Sequence, residues 1–114
     1  MDDRVIDLLE NILVSIQLID EYLEGYSLHS FRKSVQLQDS VIRRLGIIGA
    51  AVNSIPLELQ QQQLDIPWKE MARMRDIMTD HFSDVDLESI WKTIKEDHPL
   101  IKSQIEQLLD DLKE

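Results

Sequence analysis

Apolar positions recur every three or four residues along almost the whole chain, the spacing of helices with one buried face. In residues 3–24 the stripe is Val5, Leu8, Leu9, Ile12, Ile16, Ile19 and Leu23. Asp2 or Asp3 stands where such a helix is capped, and Gly25 stands where one ends. A second stripe, Phe31, Val35, Val41, Ile42, Leu45, Ile48 and Val52, predicts a helix that starts at Ser27 or Ser30 and runs to about Asn53, with Arg43 and Arg44 on its outer side. Pro56 closes it, because proline disfavours helix in the residue before it. Residues 56–65, PLELQQQQLD, read as a short helix plus linker whose glutamines form a solvated face. Pro67 sits in the first turn of a third helix. Asp86 caps a fourth, with Leu87, Ile90, Trp91 and Ile94 inward. Asp97 and Pro99 open a fifth, carrying Leu100, Ile101, Ile105, Leu108, Leu109 and Leu112. Nothing repeats, and no long linker divides the pattern. The expectation is one all-α domain over residues 1–114, an antiparallel bundle of four or five helices.

Composition removes several function classes. The chain is 43% hydrophobic but only 5% aromatic, and three Gly and three Pro are too few turn-formers for an all-β sandwich. A net charge of −10 disfavours a large nucleic-acid interface, though not a small basic site. The lack of cysteine excludes disulfides and thiolate metal sites and fits a reducing compartment. No apolar run approaches the ~20 residues that span a bilayer. The start, MDDRVIDLLE, lacks a signal peptide's basic region. A cytoplasmic protein without membrane association is expected.

The third helix carries the candidate chemistry. At about 100° per residue, Trp68, Met71, Arg75, Met78 and Phe82 share one stripe, with Lys69, Arg73, Asp76 and Asp80 opposite. Arg75 is thus a permanent cation on the face expected to be buried. It must meet a carboxylate, open into a cleft, or lie at an interface, since burying an unpaired charge costs several kcal/mol. His81, near the helix end, reads either as a C-terminal cap on the helix dipole or as an acid–base group. The three methionines Met71, Met74 and Met78 read as gap-filling core. His29 and His98, each at a helix start, read as surface residues. No two histidines stand at metal-ligand spacing, and no Gly-rich phosphate loop is present, so neither a metal nor a cofactor is expected.

The order of these features is that of a known family. An IIGAA segment late in the second helix is followed by IPW, then MRD, a His-Phe pair, DVDLESIW and DHPLIKSQIEQLL. Over nearly its whole length the chain resembles the HepT-like toxins of the HEPN superfamily. That resemblance implies a small helical bundle that dimerises. It also implies a minimal nucleotidyltransferase as antitoxin partner and a metal-independent endoribonuclease activity on an RNA substrate. The family motif is an arginine, four to six residues, then a histidine, usually R-N-x-x-x-H-x-Y in the HepT branch. Two protomers join their motifs at the dimer seam.

Carried onto this chain, the motif assigns Arg75 as phosphate-binding and His81 as acid–base residue, with a homodimer through the third helix. The chain departs from the pattern at four places. The histidine position holds Asp80 and His81 comes one residue later. The position of the tyrosine that the partner modifies holds Phe82, which has no hydroxyl. The usual asparagine is Asp76, and Ala50 stands where a glutamate is usual. Asp76 and Asp80 are secondary candidates for the site. The competing expectation is a degenerate HEPN subunit that dimerises and binds a nucleotidyltransferase without cutting RNA.

Overall fold

The structure, a computed structural model, describes residues 2–79 and 84–114, with residues 77–79, 84 and 85 described by their backbone alone. Helix α1, Asp3–Leu23, starts where Asp2 accepts from the Arg4 N–H at 3.0 Å. Its buried face is Val5, Leu9, Ile12, Ser15, Ile16, Ile19 and Leu23, the expected stripe with Ser15 added and Leu8 at its edge. The turn after it needs a positive φ, and Gly25 supplies it at 81°.

The predicted second helix is two helices. α2, Leu28–Lys33, opens on a capping box in which Ser27 and Ser30 each accept from the other's backbone N–H. The chain then leaves helical geometry at Ser34 (φ −109°, ψ 98°), which caps α3, Val35–Asn53, by accepting from the Leu37 N–H. The Gln38 amide donates to the carbonyls of Phe31 and Arg32 at the end of α2, at 2.9 and 3.0 Å. Polar side chains therefore make this break, which an apolar period cannot report. One consequence is that Val35 lies outside the core, 68% exposed at the start of α3.

α4, Leu57–Gln62, follows Pro56. Its glutamines are not merely a solvated face. The half-buried Gln60 donates to the carbonyls of Val52 and Ile55, both at 3.1 Å, and so closes the end of α3. The Trp68 indole N–H donates to the Gln63 carbonyl at 3.0 Å, which fixes the start of the next helix.

That helix, α5, is short, Trp68–Ala72, and passes into a 3₁₀ helix over Arg73–Thr79. The expected α-helix through Phe82 is therefore not formed over these described residues. α6, Asp84–Lys92, begins two residues before the expected cap at Asp86. It runs through a π-helical turn, Thr93–Asp97, into α7, His98–Lys113. The flanking residues Lys92 and His98 are both right-handed helical, so the predicted fourth and fifth helices are one helix with a wide turn inside it. Pro99 explains the turn: its ring clashes with the carbonyl four residues back in an α-helix. Widening to an i→i−5 pattern, seen in the His98 N–H bond to Thr93 O, accommodates it.

The architecture is an all-α, HEPN-like bundle, and no strand occurs among the described residues. α1 packs along α3 on one side and α7 on the other. α2 is tied to α6 by the Phe31–Trp91 ring pair, centroids 5.6 Å apart, and by the Arg32–Glu88 ion pair at 3.3 Å. The buried residues form one cluster from Val5 to Leu109. Leu100, expected on the inner face of the last helix, is exposed instead, because it lies just past the π turn that rotates the stripe. Among the described residues no helix is long and apolar enough to cross a membrane.

His98 is not a surface residue. It is 2% exposed, and its Nδ1 has no hydrogen-bond partner among the described residues. Burial holds the imidazole below the usual histidine value of 6.5, against the opposite pull of the Asp20 and Asp97 carboxylates. The unfolded chain therefore takes up this proton before the folded chain does. The His98 contribution is fully present above about pH 6.5 and is lost as pH falls below it. Thermal unfolding followed between about pH 7 and about pH 5 should show a falling midpoint. His98→Leu should fall less steeply over that window, and an unchanged slope in the variant would assign the loss to other groups.

Candidate functional site

The site rests on one close approach. Gly49, buried in α3, faces the chain where α5 becomes 3₁₀. A Cβ placed on Gly49 would lie 2.6 Å from the Arg75 nitrogen and 3.0 Å from both the Ala72 oxygen and the Arg75 Cβ. Only glycine lets the two backbones come this near.

The same transition decides where Arg75 points. In an unbroken α-helix Arg75 would lie about 40° from Met71 around the axis. With three residues per turn from Ala72 onward, the offset is roughly 100°. Met71 is accordingly buried at 2%, whereas Arg75 is exposed. The expected cation on the buried stripe is not there: Arg75 opens into a cleft on the surface of the chain. Arg75 lines a depression of about 390 Å³ with Lys69, Ala72, Arg73, Asp76 and Asn53 of α3. No ion pair joins Arg75 to another described residue. Three cations and one carboxylate thus line this hollow on a chain of net charge −10.

Asp76 is exposed beside Arg75. Asp80, His81 and Phe82 lie outside the described residues. Met78 belongs to the 3₁₀ segment by its backbone, so the shared seam face inferred from Met71, Arg75, Met78 and Phe82 fails at Met71, which is in the protein's own core. Met74 packs against that core, half-buried, as a gap-filling residue would. Ala50 is exposed on α3 next to Gly49. His29 is exposed. Among the described residues no group of three or more His, Asp or Glu side chains is placed to hold a metal ion.

The IIGAA segment stands out in the sequence, but the pattern alone does not give Gly49 its structural part. The available signal was a glycine inside a strong helical stripe, about 1 kcal/mol worse than alanine there unless a close approach needs it.

The sequence matches the family described as Ribonuclease HepT-like over residues 12–108. It is 42% identical over 104 residues to a protein of Methanocaldococcus jannaschii named as a gamma-glutamylcyclotransferase and candidate RNase, covering 91% of this chain and 47% of that protein. It is 41% identical over 102 residues to a probable ribonuclease HepT of Thermococcus cleftensis, covering 90% and 93% of the two chains. A candidate RNase of Caldanaerobacter subterraneus is 35% identical over 101 residues, with 89% and 90% covered. The chain therefore spans about half the length of the first relative and nearly all of the other two. No solved structure gives a match of comparable significance.

Gly49→Ala should move the segment that carries Arg75, since the added methyl meets backbone and not the end of a flexible side chain. Overpacking of this kind costs about 1–3 kcal/mol. The variant should keep its helical circular dichroism, melt lower than wild type, and show faster amide exchange at residues 72–76. Unchanged exchange there would mean that α3 does not hold the segment. Gly25→Ala, where nothing lies within 4 Å, serves as the comparison that perturbs only the turn.

Proposed function

Because the chain belongs to the ribonuclease HepT-like family, we propose that it is a metal-independent endoribonuclease, the toxin of a pair whose antitoxin is a minimal nucleotidyltransferase. The observation that carries this reading is the exposed Arg75 in a hollow lined also by Lys69 and Arg73. Five residues stand between Arg75 and His81 in the sequence, a spacing within the broad arginine-to-histidine motif that the resemblance implies.

The chemistry follows from the groups. The RNA 2′-oxygen attacks the adjacent phosphorus as the bond to the 5′-oxygen breaks, leaving a 2′,3′-cyclic phosphate and a 5′-hydroxyl. His81 takes the 2′-hydroxyl proton or supplies one to the leaving oxygen, as an imidazole can. Arg75 binds the phosphate through paired N–H donors and stabilises the charge that develops on it, with Lys69 and Arg73 beside it. Asp80 is a poor substitute for the histidine, since an ionised carboxylate repels phosphate. Dimerisation belongs to the proposal. The exposed face around Arg75 is the seam that would bring two motifs together, and Met71 takes no part in it. The cytoplasm is the compartment where such a protein would meet RNA.

The test is cleavage of total RNA in excess EDTA, with the products examined for cyclic-phosphate ends. Arg75→Ala and His81→Ala should each slow cleavage by about 10²–10⁴-fold, whereas Asp80→Ala should match or exceed wild type. Full activity in His81→Ala would remove that residue from the mechanism. An inert wild type that gains cleavage in Asp80→His would make the protein the binding subunit of the pair. Loss of cleavage in EDTA would overturn metal independence.

A further inference from the structure

The hollow around Arg75 continues into a second, larger one. A groove of about 470 Å³ runs between α4 and α5 and shares three lining residues, Asn53, Lys69 and Ala72, with the Arg75 depression. Its volume is within the ~300–1,000 Å³ usual for ligand sites. The two parts differ in chemistry. Toward Arg75 the walls are cationic. Away from it they are apolar: Trp68 and Ile66 are buried beneath, and Leu57 and Leu64 stand at the rim, 67% and 81% exposed. Glu70 is the carboxylate on this part of the lining. Two leucines this exposed on one groove have no core to join. Gln61 and Asn53, both exposed, add amide groups along the wall.

A trough with cations at one end and exposed apolar side chains at the other matches a nucleotide, whose phosphate and base differ in the same way. We propose that the groove between α4 and α5 receives the base of the nucleotide adjoining the phosphate bound at Arg75, in single-stranded RNA. The proposal rests on the ribonuclease reading and extends it from the cleaved bond to the strand beside it. Contact of a base face with exposed leucine side chains tolerates any base, because it is non-directional. Sequence preference would come from the amides of Asn53 and Gln61. Duplex RNA would be excluded, since its bases are stacked away.

The experiment measures binding of a short, labelled, uncleavable 2′-fluoro oligonucleotide by fluorescence anisotropy at several salt concentrations. The same strand is also made with one abasic position, scanned along its length. Leu57→Asn with Leu64→Asn alters two exposed side chains and should leave the fold intact, which the thermal midpoint checks. This double variant should bind the full strand about tenfold more weakly, with an unchanged salt slope, because it removes apolar contact with the base and no phosphate contact. Arg75→Ala should weaken binding and lower the salt slope by about 1. One abasic position should weaken wild-type binding as much as the leucine changes do, and combining the two should add nothing further. If wild type binds and Arg75→Ala weakens it while the leucine changes have no effect, the groove assignment fails and the ribonuclease reading stands. The same outcome is expected if the groove seats a protein partner. Additive losses at every abasic position also overturn the assignment. Absence of any binding by wild type overturns both.

Discussion

The approach of α3 to the chain at Ala72–Arg75, permitted by the missing side chain of Gly49, is the constraint on which the candidate site depends. Two helices with ordinary side chains at a crossing keep their axes ~8–10 Å apart. Here backbone meets glycine, and the segment that follows winds as a 3₁₀ helix for seven residues, longer than such segments usually run. The winding turns Arg75 from the core face to the surface while Met71, one turn earlier, stays buried. A cation that would destabilise the core becomes instead an exposed group lining a hollow. Core packing and the proposed chemistry are therefore set by the same contact.

Charge distribution adds to the effect of that contact. Residues 40–76 hold five of the twelve Lys and Arg but only four of the twenty-two Asp and Glu. The remainder of the chain is strongly acidic. An acidic protein repels a polyanion in general, so the less acidic segment that includes the Arg75 hollow is where a phosphate is least disfavoured. The repulsion elsewhere limits the footprint, which suits a site that handles a few nucleotides of a single strand and not a long duplex.

The start of the last helical stretch is organised by Pro99. The proline forces the π turn, and the turn shifts the apolar stripe so that Leu100 faces outward and His98 inward. A histidine in that place is buried neutral, with the carboxylates of Asp20 and Asp97 nearby acting against its desolvation. The buried imidazole is remote in sequence from the Arg75 segment. It links stability to pH through the long helix and α1, which pack together beneath it.

The sequence by itself determined the fold class, the extent of α1, the inward faces of the longer helices and the family. Each of these depends on a repeated pattern, in which many residues agree and one exception changes little. Arg75 was legible as an oddity because it broke such a pattern. What the tertiary structure decided were the places where a single residue overrides the pattern. Ser34 splits the second helix by capping a new one, and Gln38 and Gln60 satisfy helix ends across gaps of five to eight residues. Pro99 is absorbed into a continuous helix where a new start was expected. Gly49 decides the winding under Arg75 through a contact made more than twenty positions along the chain. A helical wheel assumes a constant angle per residue, and that angle is what the local packing changes. The direction of the arginine side chain was therefore fixed only when α3 met the segment that carries it.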